Sequence, residues 1–251
     1  MLTAANELVE GGVTLLQYRN KSGNAREMLA DARELKRLVG GRVRLIMNDR
    51  VDLCLAAEFD GVHLGQDDLS VEAARRIIGG CPREDAASAA KAAVELERYG
   101  RPKGRPLQRE AETSAAKASH QNVAPIAALK RCATQKLEQG VALDRSLLGY
   151  WLGISTHNSE QLAIADNTSA DYLAIGPVFA TSSKANPDPV VGIAGVRRAR
   201  KLTRKPLVAI GGITRANARE VIEAGADSVA VISDLIREPR KSAEEFLRIL
   251  G

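Results

Sequence analysis

Seven short apolar runs, each ending on a polar or glycine-rich turn, set the strongest limit on what this chain can fold into. They span Val13–Arg19, Val43–Asn48, Gly61–Leu64, Trp151–Ser155, Tyr172–Gly176, Leu207–Ile210 and Ser228–Ile232. Helical patterns separate most of them, over Ala25–Leu38, Val71–Ile78, Ser159–Asp166, Ile193–Leu202, Arg215–Ala224 and Ala243–Leu250, with a shorter one over Val51–Ala57. Strands that are apolar at nearly every position are buried on both faces. Alternated with crossover helices, they dictate a parallel sheet covered by helices. Seven strands is one short of a (β/α)8 barrel. A helical pattern over Leu2–Glu10 opens the chain, where the first outer helix of such a barrel would stand. The expected fold is therefore an α/β (β/α)8 TIM barrel lacking its first strand. Either the reading frame starts late or another segment closes the ring.

The alternation breaks between residues 80 and 148. A connection of roughly 65 residues is uncommon inside a compact domain and reads as an insertion. Helical patterns over Asp85–Arg98 and Ile126–Gln139 flank the Pro-, Gly- and Arg-rich stretch YGRPKGRPLQRE. Large apolar residues are sparse there, so the segment buries little by itself. The expected organisation is a barrel built from 1–79 and 149–251 as one domain, with 80–148 a basic, partly disordered insertion.

The net charge is +5, which raises nucleic acid as a partner. Twelve basic and eight acidic residues between Cys81 and Gly149 account for almost all of that excess. Aromatic residues make up only 3% of the chain, too few for a base-stacking platform. The expectation is therefore no nucleic acid. No apolar run reaches the ~20 residues of a membrane span, and Glu7 and Glu10 stand where a secretory leader would be basic. Cys54, Cys81 and Cys132 form no CxxC pair, and a reducing cytoplasm is the expected compartment.

In a (β/α)8 barrel the chemistry sits at the carboxyl ends of the strands. Here those ends carry Gln17, Arg19 and Lys21; Asn48 and Asp49; Gln66, Asp67 and Asp68; Ser155, Thr156 and His157; Thr181, Ser183 and Lys184; Gly211 and Gly212; and Ser233. Asp49 and Asp68 are hard oxygen ligands on neighbouring strand ends. Mg²⁺ is commonly held by one or two carboxylates together with phosphate oxygens. Cations at Arg19, Lys21 and Lys184 and hydroxyls at Ser155, Thr181 and Ser183 suit a metal-bound diphosphate. Gly211–Gly212 before a helix at Thr214 reads as an anion site. Each feature has a plainer alternative: Asp49, Asp67 or Asp68 as a helix cap, His63 as a packed, hydrogen-bonded strand residue, Cys54 as core. The agreement of seven strand ends carries the weight.

The stretches QYRNK, NDRVDLCLA, DGVHLGQDDL, GISTHNSE, DYLAIGPVFATSSK, AIGGI and VAVIS resemble, in that order, the thiamine phosphate synthase family. The resemblance implies a (β/α)8 barrel that condenses a hydroxymethylpyrimidine diphosphate with a hydroxyethylthiazole phosphate, giving thiamine monophosphate and diphosphate with the help of Mg²⁺. It implies that Gln17, Arg19, Lys21 and Asn48 hold the pyrimidine diphosphate and that Asp49 and Asp68 bind Mg²⁺. Ser155 and Lys184 would contact the diphosphate, Thr181 and Ser183 would face the thiazole, and Gly212, Ile232 and Ser233 would hold its phosphate. In the family pattern HxGQxD the ligand falls on Asp68, and Asp67 takes the variable position. Arg19, Lys21, Ser155 and Lys184 would carry the chemical step. Two other readings remain: a thiazole tautomerase-like or other phosphate-binding barrel enzyme, and an inactive remnant that binds a thiamine precursor. The sequence leaves the oligomeric state open.

Overall fold

The computed structural model describes residues 1–21, 23–79, 149–181 and 188–251, together with the backbone of 123–130. Eight strands form a closed ring. They are β1 Leu15–Asn20, β2 Arg44–Asn48, β3 Gly61–Leu64, β4 Val123–Lys130, β5 Trp151–Thr156, β6 Tyr172–Ile175, β7 Leu207–Ile210 and β8 Ser228–Val231. Seven of them run parallel, in the order β1-β2-β3-β5-β6-β7-β8. The eighth place, between β8 and β1, is filled by β4, which is antiparallel to both neighbours.

That strand corrects the sequence reading in two respects. The helical pattern expected over Ile126–Gln139 starts inside a strand, and the segment 80–148 contributes to the barrel wall instead of standing apart from it. The physical reason is context: an apolar, alanine-containing run such as VAPIAALK fits a strand or a helix, and two open strand edges decide the matter. Pro125 has no N–H to give a ladder. It pairs with Tyr18 of β1, at a level where β8, which begins pairing only at Ala127, does not reach. The chain joins β4 beside Asn20, at the carboxyl-end rim, and leaves it beside Ser228 on the opposite face. The remainder of 80–148, with the helix expected over Asp85–Arg98, lies outside the described residues.

The helices are α1 Leu2–Glu10, α2 Ala25–Val39, α3 Val51–Ala56, α4 Val71–Ile78, α5 Ser159–Asp166, α6 Gly192–Leu202, α7 Ala218–Glu223 and α8 Pro239–Leu250. Asn24, Ser70 and Asn158 begin α2, α4 and α5 with side-chain caps on the backbone N–H three residues on. On α2, Met28, Ala32, Leu35 and Val39 make one buried stripe. It meets the outward faces of the strands, where Leu16, Tyr18, Leu45 and Met47 are also buried. Each such large side chain contributes about 1.5–3 kcal/mol by leaving water. The core therefore lies between sheet and helices, and alternate strand residues point into the barrel.

A repeated device stitches the face opposite the rim. Asp60, Asp171 and Asp227 each directly precede a strand. Each donates its own N–H to the carbonyl of a residue on the preceding parallel strand, Leu45, Leu152 and Leu207 respectively. Each then accepts that residue's N–H on a carboxylate oxygen, at 2.8, 2.7 and 2.8 Å. A cation from a nearby helix completes every case: Lys36, Arg75 and Arg200. Arg75 also donates to the Tyr150 and Ser169 carbonyls. It thus holds α4 against the point where the chain re-enters the barrel.

Candidate active site

The rim is built first on β1 and β2. Side-chain alternation turns Gln17 and Arg19 of β1 and Asn48 of β2 inward, and Gln17 Nε2 donates to Asn48 Oδ1 at 2.6 Å. Arg19 is half-buried and makes no ion pair with any described residue. Lys21 leaves the end of β1 and lies 3.0 Å from the Asp49 carboxylate. Asp49 has φ 63°, a left-handed conformation uncommon outside glycine. Its N–H donates to the His63 carbonyl at 2.8 Å. Backbone strain of this kind collects at functional positions. The cap alternative for Asp49 fails, because Arg50 holds the cap position of α3 and no side chain caps it.

The β3–α4 turn supplies the second carboxylate. Ser70 caps α4, so neither aspartate of the QDD turn is needed there. Asp68 Oδ2 accepts the Gly65 N–H at 2.7 Å. The Asp68 carboxyl is shifted above the usual carboxylate range, by partial desolvation first and then by its hydrogen bond to Asp49 and the charge on Asp49. Two carboxylates pressed together in this way are the setting in which one holds a proton or both hold a cation. Their hard oxygen donors fit a divalent cation that draws its remaining ligands from a bound phosphate. Among the described residues no group of three or more His, Cys, Asp or Glu is placed to hold a metal alone. Asp67, like Asp68, is at an exposed position, and no hydrogen bond or ion pair of its side chain to a described residue is seen.

Inside the barrel a polar line runs below the rim. His63 of β3 is 6% exposed, with Nδ1 3.0 Å from the Tyr172 hydroxyl and Nε2 2.8 Å from Ser155 Oγ. Burial lowers the His63 pKa to about 4, so the ring is neutral at ordinary pH. Burial likewise raises the Tyr172 phenol. Toward the opposite face Trp151 stands beside Tyr172, and the Arg44 guanidinium lies 4.6 Å from the Trp151 ring centre. His63 is thus a hydrogen-bonded strand residue, as the sequence indicates. Cys54 is fully buried, and its thiol is pushed up to about 12, chiefly by that burial.

The third part lies on β6 to β8. Gly211 and Gly212 both have positive φ. A Cβ at Gly212 would fall 2.5 Å from the Ala180 carbonyl oxygen, so only glycine lets this turn pack under the loop after β6. The expected helix at Thr214 is displaced: α7 begins at Ala218, and the Thr214 N–H is already given to Asn217 Oδ1 at 2.8 Å. The glycine turn is therefore not followed directly by a helix terminus, as the sequence reading of an anion site expected. What stands at this end of β7 and β8 is the glycine turn itself and the short 3-10 helix Ser233–Leu235 that follows Ile232. Arg215 ties the two, giving its N–H and its guanidinium to Asp234 and a further bond to Glu245. Thr181 lies in the loop after β6 and is partly buried. Ser183 and Lys184 lie outside the described residues.

The structure thus gathers Gln17, Asn48, Lys21, Asp49 and Asp68 through direct contacts, and links Ser155 to β3 through His63. It keeps Gly212 and Ser233 on neighbouring loops. The sequence reading placed Gln66 at a strand end but gave it no role; its Nε2 donates to the Ser155 carbonyl at 2.6 Å. That reading did not find Tyr172 or Arg215. The signal for Tyr172 is a tyrosine at an inward position whose registered partner on β5 is Gly153.

The family model described as thiamine monophosphate synthase matches residues 1–96 and 135–235. A thiamine-phosphate synthase of Koribacter versatilis is 48% identical over 98% of this chain and 84% of its own length. One from Chloroflexus aurantiacus is 34% identical over 91% of this chain and 74% of its own. Among solved structures, thiamine phosphate pyrophosphorylase from Pyrococcus furiosus superposes with a TM-score of 0.66, at 26% identity, covering 99% of this chain and 88% of that one. Fold, rim geometry and these likenesses agree, and the chain belongs to the thiamine monophosphate synthase family.

Proposed function

We propose that the chain condenses hydroxymethylpyrimidine diphosphate with hydroxyethylthiazole phosphate, giving thiamine monophosphate and diphosphate. The carrying observation is the Asp49–Asp68 pair at the rim, with Lys21 on Asp49 and the Gln17–Asn48 amide pair beside it. Tautomerase-like chemistry has no need for that pair.

In the reaction the bond between the pyrimidine methylene and the diphosphate oxygen breaks, and its electron pair leaves with the diphosphate. The thiazole nitrogen lone pair then forms the new C–N bond. Negative charge grows on the departing oxygens, so cations already in place stabilise the transition state more than the ground state. Arg19 and Lys21 supply that charge, joined by Lys184. Ser155 donates a hydrogen bond to the same oxygens. Gln17 and Asn48 hold the pyrimidine end. Thr181 and Ser183 face the thiazole, and Gly212, Ile232 and Ser233 receive its phosphate. Asp49 and Asp68 are the residues that would hold Mg²⁺, which when bound neutralises diphosphate charge as a Lewis acid. No general base is required, because the thiazole nitrogen is already a nucleophile.

On this reading residues 80–148 are an insertion into a one-domain barrel, to which they give β4 while 1–79 and 149–251 give the other seven strands. Support comes from the gap between the two matched stretches, 97–134, which contains β4. Among the described residues no helix is long and apolar enough to cross a membrane. The free thiol of Cys54 fits a reducing cytoplasm.

The test is diphosphate release from the pyrimidine diphosphate, with and without thiazole phosphate and with and without Mg²⁺. Release and thiamine monophosphate formation should need all three. Turnover that ignores Mg²⁺, or no condensation at all, would sink the proposal.

A further inference from the structure

Three hydroxyl- and imidazole-bearing side chains from three strands form a line inside the barrel, and their order fixes where each proton sits. Tyr172 of β6 reaches His63 of β3 by passing over β5, which it can do because position 153 is glycine. A Cβ there would lie 2.0 Å from Tyr172 Cζ. Among the described residues the Tyr172 hydroxyl has one hydrogen-bond partner, His63 Nδ1 at 3.0 Å. His63 Nε2 in turn lies 2.8 Å from Ser155 Oγ.

A buried phenol proton needs an acceptor. A neutral imidazole offers one acceptor and one donor. Tyr172 therefore donates to Nδ1, the ring proton resides on Nε2, and Nε2–H donates to Ser155 Oγ. A serine hydroxyl carries a single proton. With one of its two lone pairs occupied by His63, that proton is turned away from the imidazole and toward the rim. Gln66 pins the backbone of the same residue through the Ser155 carbonyl. In the opposite tautomer Ser155 would give its proton to His63 and present only lone pairs to an anion.

We infer that Tyr172, acting through His63, fixes Ser155 as a hydrogen-bond donor to the departing diphosphate. Tyr172 and His63 are positioning residues in this scheme, and the assignment of the anion rests on the synthase reading above.

The test joins a spectroscopic and a kinetic measurement on the full chain. Long-range ¹⁵N NMR of histidine-labelled protein reports which ring nitrogen carries the proton. The chain holds two further histidines, His120 and His157, so His120→Gln and His157→Gln variants assign the His63 signals without altering that ring. The expected wild-type signature at neutral pH is Nε2–H. Tyr172→Phe keeps the ring volume and removes the donor, so the Nε2–H form should give way to a mixture. kcat should then fall about tenfold, with KM for the pyrimidine diphosphate changed less than about twofold. That is a smaller loss than the ~100-fold expected when Ser155→Ala removes the donor outright. An Nδ1–H or doubly protonated His63 in the wild type overturns the inference, and does so even if Tyr172→Phe does not fold. A folded Tyr172→Phe with unchanged kcat overturns it as well. A wild type with the Nε2–H form but no condensation would sink the synthase reading and leave the donor assignment of Ser155 standing.

Discussion

Asp49 and Asp68 stand on two strand ends that pair side by side, the charge on Asp49 helps raise the Asp68 carboxyl, and Lys21 lies 3.0 Å from Asp49. The contact is unfavourable while both are ionised. It becomes favourable only with a proton or a cation between them. Asp68→Ala should therefore cost turnover at least about a hundredfold, on the scale of removing one group that stabilises developing charge. Thermal stability should hold or rise slightly, because a like-charge contact is relieved. Asp67→Ala, at an exposed position, should stay within about twofold. Steady-state kinetics and a melting curve on both variants check this, and equal losses would refute the assignment of roles.

His63 predicts a pH dependence of stability. Its folded pKa of about 4 lies below the unfolded value of 6.5. Between those values the unfolded chain binds the extra proton, so stability rises with pH in that window. The contribution is complete above about pH 6.5 and is lost as pH falls toward 4, at most about 3 kcal/mol in all. Urea unfolding at several pH values should show the slope, and His63→Gln should flatten it. An unchanged slope in that variant would remove His63 as its source.

The stitching aspartates belong to the face away from the chemistry. Asp227→Ala takes the acceptor from the Leu207 N–H and the partner from Arg200. The expected cost is about 1–3 kcal/mol for the amide left unsatisfied. kcat per folded molecule should not change. Chemical unfolding together with active-site titration separates the two effects, and a fall in kcat at full folding would contradict the division of labour between the faces.

The reversed strand makes the barrel wall testable. Ala127 pairs with Leu16 on one side and Val231 on the other. Ala127→Pro removes an N–H from the ladder and should cost about 1–3 kcal/mol, with self-association as β1 and β8 expose their edges. Light scattering and thermal melting provide the readout. Stability and monodispersity equal to the parent would mean that β4 does not close the ring in solution.

Much of this was legible in the chain because the (β/α) alternation is periodic, and a periodic pattern locates strand ends. Gln17, Asn48, Asp49, Asp68 and Ser155 could be named from position alone. What was hidden depends on residues far apart. Tyr172 reads as one more apolar strand residue until it meets His63, 109 positions earlier. β4 reads as a weak helix until β1 and β8 offer it their edges. The helix expected at Thr214 fails for a local reason, since Asn217 takes the Thr214 amide in a turn. Ser70 settled what the sequence left open about the QDD turn, by capping α4 and freeing Asp68 for the rim.

The direction of β4 separates two properties that barrels ordinarily carry together. Hydrogen-bonding edges are indifferent to chain polarity, so a stave can be set into the wall upside down and the vessel still holds. The mouth is not indifferent, because its working groups ride on carboxyl ends, and β4 brings its amino end there instead. Containment and chemistry can therefore vary independently in this architecture. The stave between β8 and β1 is open to replacement during descent or by design, while on the proposed function the strand ends that carry Lys21, Asp49, Asp68 and Ser155 are not.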